Sequence, residues 1–126
     1  MKFAEDHNSA RYRITGYEDE GVGINGRIFN QSLVLSPMEI ITDWAPQSIL
    51  ELKADHLDSL YEMKPEVLIL ATGPTQVFPN KEVLRRLAKE QIGYEIMSTQ
   101  SACRTFNIIM SEDRNVVIGF VGSPRA

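Results

Sequence analysis

Residues able to carry chemistry gather in two stretches of this chain. The first, 98–107, reads Ser-Thr-Gln-Ser-Ala-Cys-Arg-Thr-Phe-Asn and holds Cys103, the only cysteine, beside Arg104. A cysteine near a helix N-terminus and next to a cation can have a lowered pKa, which favours the nucleophilic thiolate. Nucleophilic catalysis also needs a positioned base. The only histidines, His7 and His56, lie at the chain start and at the start of a different predicted helix. The simpler expectation for Cys103 is therefore a small buried thiol packed beside Phe106. Arg104 is the better candidate, because a guanidinium in a crevice holds a carboxylate or phosphate by paired hydrogen bonds. Its alternative is a salt bridge to a nearby acid.

The second stretch, 71–80, reads Ala-Thr-Gly-Pro-Thr-Gln-Val-Phe-Pro-Asn. It follows a continuously apolar run and precedes a helical pattern, and such loops are where α/β proteins bind ligands. Thr72, Thr75 and Gln76 offer polar groups, Gly73 permits close backbone approach, and the next helix presents free N–H groups to an anion. It is no P-loop, lacking a second glycine and a Lys-Ser/Thr pair. The structural alternative is a crossover in which Phe78 plugs the core. Together Thr72, Gly73, Thr75, Thr99, Arg104 and Asn107 form a candidate set for an anionic ligand in a crevice between the two stretches. No catalytic residue, metal site or cofactor is assigned.

A third motif fails on its surroundings. Residues 21–26 match G-x-G-x-x-G to the letter, but that motif binds pyrophosphate only between a strand and a helix. Here Asn25-Gly26, favoured in tight hairpins, sits between two strand-like runs. Trp44 is expected in the core rather than as an exposed anchor.

The elements that must position these residues change character near residue 55. Before it, Tyr12–Thr15, Val22–Ile24, Arg27–Phe29, Ser32–Ser36 and Glu39–Trp44 read as short strands. After it, helix and strand alternate. Asp55 is expected to cap a helix from His56 to about Met63, stopped by Pro65. Val67–Ala71 reads as a strand covered on both faces. Asn80 caps a helix with Val83, Leu84, Leu87 and Ala88 inward and Arg85, Arg86 and Lys89 in water, stopped by Gly93. Residues 94–97 form a strand, Ser98 or Thr99 caps a third helix to about Met110, and Val116–Val121 closes the sheet. This order implies βαβ crossovers and a largely parallel sheet, hence an α/β class with a β-rich N-terminal part.

With 126 residues, one domain over 1–126 is expected. The 13 Lys+Arg against 17 Asp+Glu leave a net −4, which gives no overall attraction for nucleic acid. A single cysteine precludes an intramolecular disulfide and suits a reducing compartment. No apolar run reaches the roughly 20 residues of a membrane span. The first residues show neither a signal-peptide apolar region nor a basic transit helix. A cytoplasmic protein, not integral to a membrane, is the expectation.

In order and spacing, several segments resemble a known family: Gly16-Tyr17, Asn25-Gly26, the Leu-Val-Leu-Ser-Pro run ending at Pro37, Thr72-Gly73 with Phe78-Pro79, 93–97, and 102–108. They are similar to domain-of-unknown-function family 498/598, over about 10–122. That family includes mitochondrial respiratory complex I assembly factor 3 and many bacterial proteins. The resemblance implies a three-layer α/β fold, with a central mixed, mostly parallel sheet flanked by helices and an extra N-terminal β-hairpin layer. With no catalytic constellation in the chain, it implies a binding or assembly protein that aids complex I biogenesis from the cytoplasmic side, peripheral to the inner membrane; the alternative is a small-molecule-binding protein or enzyme that uses the crevice at the 72–79 and 98–107 junctions. Its partners would be respiratory-complex subunits or assembly factors. The contact surface would include the 72–79 loop and the 98–107 helix start. A homodimer paired through the N-terminal β edge is the further expectation. Family members often carry Arg where this chain has Val77, which weakens an anion site at the first loop.

Overall fold

A computed structural model describes residues 10–18 and 21–122. Its first three strands, β1 (Ile14–Glu18), β2 (Gly21–Ile24) and β3 (Arg27–Phe29), form an antiparallel sheet in that order. The turn between β2 and β3 is built by Asn25 and Gly26, both at positive φ, 53° and 85°, the pairing a tight hairpin requires. The expected hairpin is thus extended by β1 into three strands. Asn25 also ties down the incoming chain, accepting from the Arg13 N–H at 3.0 Å and donating to the Arg11 carbonyl at 2.9 Å.

The second sheet has five strands in the order β5-β4-β8-β6-β7. They are β4 (Leu33–Leu35), β5 (Ile40–Ile41), β6 (Val67–Ala71), β7 (Gly93–Met97) and β8 (Val116–Phe120). β6 runs parallel to both β7 and β8, whereas β4 runs antiparallel to both β5 and β8. The sheet is therefore mixed, with two parallel and two antiparallel strand pairs. β6 reaches β7 through a helical crossover, but β4 and β5 are joined by a tight turn, closed where the Ser36 N–H donates to the Glu39 carbonyl at 2.8 Å.

Alternation along the strands divides the core. Ile69, Ala71, Val116, Ile118, Phe120, Leu33 and Leu35 share a cluster with Ile14, Val22 and Ile24 of the first sheet. Leu68, Leu70, Val117 and Val34 belong to the other cluster, with Trp44, Leu60, Val83 and Leu87. A 3-10 turn (Ala54–Leu57) runs into the short helix α1 (Asp58–Glu62). Asp55 does not cap it: the His56 ring accepts from the Lys53 N–H at 2.9 Å. Helix α2 (Lys81–Lys89) starts as expected, with the Asn80 side chain accepting from the Val83 N–H at 3.0 Å. Helix α3 (Thr99–Ser111) is capped by Ser98.

Three helical details differ from expectation. Lys64, Gln91 and Asp113, all at positive φ, follow α1, α2 and α3. Gln91 takes the left-handed stop after α2, and Gly93 instead opens β7. Ala88 is exposed. Arg86 is half-buried, bonded at 2.8 Å to both Asp58 and Glu90 and at 3.0 Å to the Ala54 carbonyl, over the Tyr61 ring. It joins α2 to α1, so its position follows from a neighbour that periodicity does not show.

Trp44 is buried and donates to the His56 carbonyl at 3.1 Å. Its ring lies over Gly119, where an added Cβ would come within 2.8 Å of the indole and 3.2 Å of Leu60. Glycine here leaves room for tryptophan. Gly119→Ala is expected to destabilise the protein by about 1–3 kcal/mol, read as a lower urea midpoint with unchanged slope.

Candidate functional site

The two candidate stretches meet at the carboxyl ends of β6 and β7. The Gly73 N–H donates to Thr99 Oγ1 at 2.9 Å, and the Thr99 N–H donates to the Gly73 carbonyl at 2.8 Å. Gly73 has φ 99°, a left-handed conformation that glycine tolerates best. The Thr72 N–H donates to the Met97 carbonyl at 3.0 Å. Thr72 Oγ1 donates to the Thr75 carbonyl at 2.7 Å and accepts from the Val77 N–H at 3.1 Å. Gln76 donates to the Ile96 carbonyl at 2.8 Å. Thr72, Gly73 and Thr99 are buried, and the Thr75 side chain is exposed. Thr72, Gly73, Gln76 and Thr99 stitch the loop to the sheet and to α3, and Gly73 and Thr99 bond each other directly where the crevice is expected.

With Thr72 and Gln76 engaged by backbone groups, the loop turns an apolar group outward. Phe78 is 61% exposed, so it does not plug the core, whereas Val83 and Leu87 of the following helix α2 are buried in the second cluster. In the 45–52 segment, Leu50 is 85% exposed. Ile49, Leu50, Thr72, Val77 and Val121 line a hollow of about 310 Å³ between the two loops. The 45–52 segment is fixed from both sides. Ser32 Oγ donates to the Pro46 carbonyl and accepts from the Gly122 N–H at 2.7 Å, while Asn80 donates to the Leu52 carbonyl at 2.9 Å. Leu50 escapes sequence reasoning because 45–52 has no helical or strand period.

Arg104 and Asn107 stand elsewhere, on the face of α3 that meets β1. Asn107 clamps Ile14, accepting from its N–H at 3.2 Å and donating to its carbonyl at 2.7 Å. Arg104 is exposed and lines a hollow with Gly16, Tyr17, Gln100 and Cys103. Cys103 is buried, and burial pushes its thiol up to about 12, outweighing the opposite pull of the Arg104 charge. The lowered pKa that the helix N-terminus suggested is absent because desolvation of the thiolate dominates. His56 lies in the α1 turn with its ring engaged by Lys53; His7 is outside the described residues. Thr72 and Arg104 thus line different hollows.

Comparison with known proteins accords with this fold. Residues 14–121 match the family described as Protein of unknown function (DUF498/DUF598). The chain belongs to that family. Among DUF498/DUF598 relatives, it is 34% identical over 119 residues to NADH dehydrogenase (ubiquinone) 1 alpha subcomplex assembly factor 3 of Danio rerio, covering 92% of this chain and 67% of that protein. It is 30% identical over 89 residues to the 13 kDa major membrane protein of Francisella tularensis subsp. holarctica, covering 70% of this chain and 72% of the relative. A crystal structure of a Bordetella parapertussis protein superposes with a TM-score of 0.82 at 31% identity, covering 91% of this chain and 98% of the other. Among the described residues, no helix is long and apolar enough to cross a membrane.

Two outcomes follow from the Asn107 clamp and the buried thiol. Asn107→Ala should cost about 1–3 kcal/mol and speed amide exchange through β1, measured by hydrogen–deuterium exchange. Cys103 keeps its proton in the fold at pH values where the unfolded chain, with an ordinary thiol near 9.0, releases it. Its stabilisation is therefore complete below pH 9.0 and is lost as pH rises toward about 12. Urea titrations across that range should show falling stability, less steeply in Cys103→Ala. Tyr61, also pushed up to about 12 by burial and the Glu90 charge, adds to the slope.

Proposed function

We propose that this protein is a non-enzymatic binding protein that assists assembly of respiratory complex I, docking a protein partner on the apolar rim formed by Leu50 and Phe78. The observation that carries the reading is the 72–79 loop itself. Its Thr72 and Gln76 side chains are held internally while Phe78 stands 61% exposed, and Leu50, which lines a hollow with Val77 of the same loop, is 85% exposed. A rigid loop that presents an aromatic group is the kind of anchor that dominates protein interfaces. Similarity to the Danio rerio assembly factor supplies the direction. The buried, neutral Cys103 and a His56 ring engaged on the other side of the sheet favour binding over nucleophilic catalysis. The DUF498/DUF598 relative called a membrane protein supports a peripheral position at the inner membrane, where complex I subunits are met.

Affinity purification of the tagged protein from solubilised membranes should recover respiratory-complex subunits or assembly factors, and deletion of the gene should lower assembled complex I. The double variant Leu50→Ser, Phe78→Ser should lose at least tenfold in recovery with an unchanged melting temperature, since both groups are already in water. Normal complex I after deletion, with no such subunit recovered, would overturn the reading. Light scattering at two concentrations separates a homodimer paired through an edge strand of the small sheet from a partner complex.

A further inference from the structure

The face of the five-stranded sheet opposite the Leu50–Phe78 rim carries a second hollow, of about 300 Å³, between β1 and α3. On the helix side, Gln100, Cys103, Arg104 and Asn107 fall at i, i+3, i+4 and i+7, one face of α3. On the strand side, the register slips between Ile14 and Gly16, and a bulge of this kind bends its strand. Asn107 closes one end, with both halves of its amide engaged by the Ile14 backbone. Gly16 borders the space beyond the bulge, and a Cβ added there would meet no atom within 4 Å. Its φ is not positive, so neither crowding nor backbone conformation calls for glycine at 16. What the glycine supplies is open space.

The electrostatics of this space are simple. Among the described residues, Arg104 is its only charged lining residue, and no Asp or Glu lines it. The Arg104 guanidinium makes no hydrogen bond or ion pair with any described residue, unlike that of Arg86. Its charge nonetheless acts on the Cys103 thiol at the base of the hollow. The thiol is neutral and apolar in character, and Gln100 supplies a neutral amide at the rim. One guanidinium matches one negative charge, and its planar fork pairs with a carboxylate through two parallel hydrogen bonds. A dianionic phosphate would leave a charge uncompensated in a chain of net −4. The volume lies at the small end for ligand sites, enough for a stem of a few carbons.

We propose that the β1–α3 hollow binds a small monocarboxylate, its carboxylate paired with the Arg104 guanidinium and its short apolar stem laid over Cys103 beside Gly16. Two sources carry this chemistry: a free short-chain acid, or the C-terminal carboxylate of a peptide.

Titration of the 15N-labelled protein with butyrate at constant ionic strength tests the assignment. Saturable amide shifts are expected in 14–17 and 100–107, and none with butylamine. Arg104→Gln should weaken binding roughly tenfold or more with an unchanged melting temperature, because its side chain is exposed. Arg104→Lys should recover part of the affinity, charge without the fork. Gly16→Leu should fill the space and block binding; if it misfolds, Arg104→Gln decides. A short peptide with a free C-terminus, run against its C-terminal amide, identifies the source. If the free-acid peptide binds tighter than butyrate, the occupant is a chain end; if weaker, a free acid. Shifts that do not saturate with either probe, or that survive Arg104→Gln unchanged, would overturn the proposal.

Discussion

Strand β6 is hydrogen-bonded along both edges and covered on both faces, and the rest of the structure is arranged around that constraint. A backbone so enclosed has no access to water, so each of its N–H and C=O groups must find a partner in β7 or β8. The register that results, Val67 opposite both Gly93 and Val116 and Ala71 opposite both Met97 and Phe120, sets where all three strands end. Those ends fix the loops. Ala71 accepts from the Val121 N–H at 3.1 Å, Thr72 reaches Met97, and Gly73 reaches Thr99. The helix α3 and the 72–79 loop therefore inherit their positions from three central strands.

From this comes a division of labour between the two faces. On one, the loop that follows β6 has Thr72 and Gln76 held by backbone groups and leaves Phe78 exposed, while Leu50 of the 45–52 segment is exposed as well. On the other, β1 is latched to α3 by one asparagine and then bends away, which leaves an arginine over an uncharged hollow. Polar residues close the first place and open the second. The difference is made by how many backbone groups lie within reach of each side chain.

Much of the fold was legible in the sequence. Asn25-Gly26 named its turn, Asn80 and Ser98 their helix starts, and the run from Val67 to Ala71 its double burial, because each signal is local. The misreadings share a cause. Gly93 was the plausible stop for α2, but Gln91 accepts the left-handed conformation first. Arg86 was read as solvated because its partner Asp58 is 28 residues away. A mostly parallel sheet is the expectation from the alternating second half, whereas the first half adds β4, which runs against both of its neighbours, β5 and β8. At the site, Thr72 and Arg104 are expected in one crevice, whereas they line different hollows.

By itself, then, the sequence determined the elements, their faces and the absence of a cysteine–base pair close in the chain, since periodicity, capping and turn chemistry act over a few residues. The tertiary structure decided which polar groups remained free. Asn107 finds Ile14 across 93 residues, and Gly73 finds Thr99 across 26. The lone cysteine shows the same rule. Its neighbour Arg104 favours the thiolate, but the packing of α3 against the first sheet removes water from it, and desolvation outweighs a single adjacent charge.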